Sequence, residues 1–155
     1  MTITLEEARL LSVAEMTGLS AQDLMQLQSA AVDLFRQAKD LKEWIDGAIA
    51  LKYDAHAKAL RSQLGKDTGT VHFDDDGVRV TADLPKKPVW DQKKLSEIAE
   101  RITASGDDPT EYLDITYKVA ERKYTAWPEN LREVFAPART LKTGKPTFQL
   151  IPIEE

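Results

Sequence analysis

An active site or metal centre in this chain would have to be built from two histidines, no cysteine and one run of three aspartates. His56 follows Lys52 by four residues, with no second histidine or carboxylate at the spacing of a zinc-binding helix. His72 falls on the polar side of an alternating stretch. A metal needs several convergent ligands, so both histidines read as surface side chains. Asp74-Asp75-Asp76-Gly77 lacks the alternating acids and distant glutamate of a calcium loop and reads as a solvated turn. Asp107 and Asp108 before Pro109 read as helix caps. Gly144-Lys145 has the ending of a phosphate loop, but Arg139 stands where the first glycine belongs and Pro146 where serine or threonine is required. No nucleophile elbow occurs, and two scattered histidines give a Ser/His/Asp triad little to build on. The expectation is a protein that is not an enzyme, with no catalytic residues, no metal, no cofactor and no small-molecule substrate.

The basic segments are the least ordinary feature. Lys86, Lys87, Lys93 and Lys94 bracket Trp90. Lys118, Arg122, Lys123, Tyr124 and Trp127 then precede Arg132, Arg139, Lys142 and Lys145. From Lys118 to Lys145 seven basic residues face three acidic ones, within a chain of net charge −5. Two readings stand. Basic side chains interleaved with aromatics hold phosphates and stack bases, which makes Lys118, Arg122, Lys123, Arg139, Lys142 and Lys145 the candidate DNA contacts. Alternatively Trp90 and Trp127 anchor small cores, and the lysines around them are solvated beside Asp91, Glu121, Glu129 and Glu133.

The element expected to position these groups lies upstream. From Ser20 to Gly65 apolar residues recur at alternating spacings of three and four: Leu24, Leu27, Ala31, Leu34, Ala38, Leu41, Ile45 and Ala48, then Lys52, Ala55 and Ala59. That heptad seam predicts one long helix that packs along another, with Leu24, Leu27, Leu34, Leu41 and Ile45 as the dimerisation residues. Met25, Val32, Phe35 and Ile49 form a second row, broad enough for packing against two neighbours up to Ile49. Thr4 with Glu7 makes a capping box for a short preceding helix from Leu5 to about Thr17, expected to fold back onto the first half of the long one.

The remainder alternates differently. Val71 and Phe73, then Val78, Val80, Ala82 and Leu84, flank the aspartate turn as a β-hairpin. Asp91 caps a helix carrying Leu95, Ile98, Ala99 and Ile102, which Gly106 ends. A strand is expected from Tyr112 to Tyr124, with Leu113, Ile115, Tyr117 and Val119 on one face. A short helix follows with Pro128 as its first residue and Leu131, Val134 and Phe135 on its buried side, and a last strand carries Phe148 and Leu150. The fold class is therefore α+β: a helical coiled-coil arm over residues 1–65 and a small hairpin-containing domain over 66–155. No apolar run reaches the ~20 residues of a membrane span. The first residues lack the pattern of a secretory signal, and the absence of cysteine fits the cytoplasm.

The layout resembles that of small phage and prophage proteins of the Gam-like host-nuclease-inhibitor type. The resemblance rests on a long helix ending at a glycine, a hairpin, the Pro85-Lys86-Lys87-Pro88-Val89-Trp90 stretch and the ending Lys142-Thr143-Gly144-Lys145-Pro146-Thr147-Phe148-Gln149-Leu150. It implies a homodimer joined through long helices that binds DNA ends or a nuclease and brings no catalytic residues with it. The acidic balance and the single long helix depart from that pattern. A second expectation is accordingly an acidic inhibitor or adaptor that binds a host or phage protein complex through carboxylates such as Asp74 to Asp76.

Overall fold

The structure is a computed structural model describing residues 2–154. Its fold is α+β, with one long helix, short helices before and after it, and a two-stranded antiparallel hairpin. Contacts divide the chain into two compact units. One runs through Lys86 and resumes at Thr147, and the other is Lys87–Pro146. The hairpin thus groups with the long helix, and the division falls elsewhere than after Gly65.

In the first unit the expected helix from Leu5 to Thr17 is two helices, α1 (Leu5–Ala8) and α2 (Val13–Thr17). The reason is a second capping box. The Ser12 hydroxyl accepts from the Glu15 amide while the Glu15 carboxylate accepts from the Ser12 amide, so a new helix starts where one was to continue. Ser20 caps α3 (Ala21–Gln63), whose 43 residues extend on the order of 65 Å. Gly65 turns the chain out of the helix at φ 71°.

Strands β1 (Gly69–Asp75) and β2 (Val78–Leu84) pair from Gly69 opposite Leu84 to Asp75 opposite Val78. The turn is only Asp76-Gly77, both at positive φ (51° and 75°), so Asp74 and Asp75 belong to β1 rather than to the turn. Two positive φ values give the turn the twist that antiparallel strands need.

The hairpin packs on the last turns of α3. Ala57 and Val71 are buried, and Phe73 sits edge-on to both Tyr53 (5.6 Å) and His56 (4.4 Å). At the other end of α3, Leu24, Leu27 and Ala31 lie against Leu5, Ala8, Met16 and Leu150. The expected last strand does not form. Residues 140–154 join no ladder, and the segment carrying Phe148 and Leu150 lies along α3, where Gln28 Nε2 donates to the Phe148 carbonyl at 3.5 Å.

In the second unit Asp91 caps α4 (Gln92–Ala104) through the amides of Lys93 and Lys94. A single helical turn at Pro109–Glu111 brings Leu113 back beside Leu95 and Ala99. The strand expected from Tyr112 to Tyr124 is absent. Residues 114–120 are irregular, and α5 (Glu121–Ala126) begins inside that span. A strand needs a ladder partner, and none is present in this unit. Helix α6 (Glu129–Phe135) begins one residue after Pro128, which occupies the capping position rather than the first helical one. Tyr124, Trp127 and Phe135 form an aromatic cluster with centroid separations of 5.9 and 5.0 Å, while Val134 faces solvent instead of the expected buried side.

Candidate functional site

The five seam residues divide by their cover. Leu27 is buried and Leu24 half-buried beneath the N-terminal helices and Leu150. Leu34, Leu41 and Ile45 are left 49%, 55% and 49% exposed, although the seam places them on one stripe of α3. Phe35 and Ile49 on its flank are also exposed, and so is Trp44 at 77%. Trp44 was not singled out from the sequence, yet it stands three residues after Leu41 and four before Ala48, the spacing that would have found it. Lys42 sits within this stretch, and its ammonium donates to Asp46 at 2.5 Å. That bond and the carboxylate's charge raise the lysine pKa from its ordinary value.

Where α3 meets the hairpin, polar groups do the fastening. Arg61 is 5% exposed, with Nε donating to the Gly69 carbonyl at 3.0 Å and Nη2 to the Ala82 carbonyl at 3.2 Å. The Tyr53 hydroxyl donates to Asp75 Oδ2 at 2.7 Å, which holds the tyrosine pKa above its ordinary value. Lys52 Nζ lies 3.9 Å from the same carboxylate. Asp74 accepts from Arg79 Nε at 3.1 Å. The three aspartates are therefore spent on different partners and positions, and no group of three metal-ligating side chains occurs among the described residues. His72 Nδ1 lies 2.9 Å from the Thr81 hydroxyl across the hairpin.

All six candidate DNA contacts fall in the second unit and are exposed. Lys118 lies in the irregular stretch before α5, Arg122 and Lys123 on α5, and Arg139 after the turn Ala136–Ala138. Lys142 and Lys145 lie in the irregular stretch that follows. Arg139 is committed. It forks onto both oxygens of Glu121, with Nε to Oε2 at 3.1 Å, and its guanidinium carbon lies 5.0 Å from the Tyr124 ring centre. The bond to Arg139 lowers the Glu121 pKa, and the bond to Glu121 raises that of Arg139. The other five make no ion pair among the described residues. Trp127 belongs to the aromatic cluster, whereas Trp90 is exposed.

Charge also divides between the units. Lys87–Pro146 carries eleven basic and ten acidic side chains, and the rest of the chain ten basic and sixteen acidic. No helix among the described residues is long and apolar enough to cross a membrane. Comparison of the chain with protein-family models, curated proteins and solved structures finds no match.

Proposed function

We propose that this chain is a non-enzymatic, phage-type accessory protein of DNA metabolism that dimerises along α3 and engages DNA or a nuclease through its second unit. The supporting observation is the uncovered middle of the seam, where Leu34, Leu41 and Ile45 stay half-exposed between two covered ends. Ile49 extends this stripe, and Phe35 and Trp44, nine residues and so about half a turn apart on the helix, flank it on opposite sides. A second copy presents the same heptad stripe and so matches it in shape and period. Lys118, Arg122, Lys123, Lys142 and Lys145 are the phosphate contacts of this reading, and Arg139 becomes one only when Glu121 releases it.

Light scattering of the full chain tests the dimer. The wild type is expected above its chain mass and Leu34→Glu/Leu41→Glu at a lower mass than the wild type; a mass that the double variant leaves unchanged overturns association along α3. A gel-shift series at rising salt tests the DNA part, since phosphate contacts strengthen as salt falls. Binding absent even at low salt sinks it.

The acid excess of the unit that contains α3 supports a second reading, a protein-directed inhibitor or adaptor. Pull-down from infected-cell extract should then recover a nuclease or defence complex, and recovery of DNA alone would count against this reading.

A further inference from the structure

The most strand-like sequence of the second unit has no strand partner. Leu113, Ile115, Tyr117 and Val119 alternate with Asp114, Thr116 and Lys118. Yet no amide from residue 114 to 120 and no carbonyl from 113 to 119 makes a backbone hydrogen bond among the described residues. Exposed backbone with no ladder partner next to an apolar stripe is what an added strand completes. Leu113, Asp114, Ile115 and Thr116 line a cavity of about 480 Å³ against Leu95, Ala99 and Thr103 of α4, while Tyr117 is 92% exposed.

The segment is complementary to itself when reversed. Placed antiparallel to a second copy about Thr116, it sets Asp114 opposite Lys118 of the other chain, Ile115 opposite Tyr117, Leu113 opposite Val119, and Thr116 opposite Thr116. Both charge pairs are then of opposite sign and every apolar residue meets an apolar one. A register shift of one residue breaks the match by turning the apolar set to the other face.

We propose that residues 113–119 are a strand-pairing site for a second copy of this chain, joined antiparallel about Thr116. The partner's Tyr117 comes beside Ile115 on the apolar face. The pairing uses a surface distinct from the α3 seam and does not rest on it. One device recruits by side-chain packing and the other by backbone hydrogen bonds with charge-set register.

The absence of cysteine makes the test direct, because a single introduced thiol has no competitor. Full-length Thr116→Cys under mild oxidation is expected to form a covalent dimer on a non-reducing gel, and Thr140→Cys, at an exposed site outside the segment, is not. Adding Lys118→Asp to the Thr116→Cys variant should slow crosslinking by roughly tenfold or more, because both cross-strand pairs become repulsive. Adding Asp114→Lys as well should restore it. Absence of a Thr116→Cys dimer overturns the proposal, as does crosslinking that ignores the charge changes. Repeating the test on Leu34→Glu/Leu41→Glu separates the two interfaces. Crosslinking that persists there upholds the strand pairing alone, and crosslinking that vanishes assigns the encounter to the helix and overturns the independent site.

Discussion

Arg61, near the end of the long helix, donates through Nη2 to the carbonyl of Ala82 on the far strand of the hairpin, at 3.2 Å. With its Nε bond to Gly69 it closes both edges of the hairpin onto α3 from a position that is almost wholly buried. A planar fork suits this task, because two carbonyls some distance apart are met by one rigid group. Arg61→Ala should therefore cost about 2–4 kcal/mol of unfolding free energy, from two charge-assisted bonds and the packing of the stem. Arg61→Lys should recover only part of it. Urea titration followed by circular dichroism reads both, and an unchanged midpoint for the alanine variant would falsify the fastening role.

The Tyr53 hydroxyl gives a pH signature. Its pKa is raised in the folded state, first by the bond to Asp75 and then by burial and charge. Stability from a group raised on folding is fully present below its unfolded pKa and is lost as pH rises through the folded value. The chain should thus be stable at neutral pH and lose the Tyr53–Asp75 contact in alkali, above the ordinary tyrosine range. Spectrophotometric titration should show one late tyrosine that disappears in Tyr53→Phe.

Glu121 acts in the opposite sense. Its pKa is lowered mainly by the bond to Arg139, so the pair's contribution is present above the ordinary glutamate range and is lost as pH falls through the depressed value. Glu121→Gln removes the charge without acid. If DNA is the ligand, this variant should bind it several-fold more tightly, with a salt slope steeper by about one unit because one more cation is free. Equal slopes for the variant and wild type would remove Arg139 from the interface.

Helices with strong local signals were legible in the sequence. Ser20, Asp91 and Asp108 are caps as read, and Gly65, Gly77 and Gly106 take the positive φ that ends a helix or makes a turn. Strands at Tyr112–Tyr124 and Phe148–Leu150 were not, because alternation reports one amphipathic face and says nothing of a neighbour to pair with. The break at Ser12 was a capping box hidden inside an apolar pattern. Arg61 escaped notice since a lone arginine on a helix carries no mark of burial. The seam was legible as a pattern, and so was the N-terminal cover of its first part; that Leu150 joins this cover is seen only in the fold.

Gly47 offers a probe of α3 that leaves the seam alone. It lies inside the helix, and a Cβ built there meets nothing within 4 Å. Gly47→Ala should raise stability by roughly 0.5–1 kcal/mol through helix propensity and a less free unfolded chain. A loss in thermal midpoint instead would mean that an unseen neighbour approaches this face.

Pairing along the uncovered middle of α3 would make dilution a structural variable. A solitary copy holds Leu34 to Ile49 in water around a helix-weakening glycine, whereas a pair removes that surface. If copies pair along α3, mass action makes the helix melt at a temperature that climbs with protein concentration. In that case fraying under dilution is expected first around Gly47, between the covered ends, where the side chains have least cover.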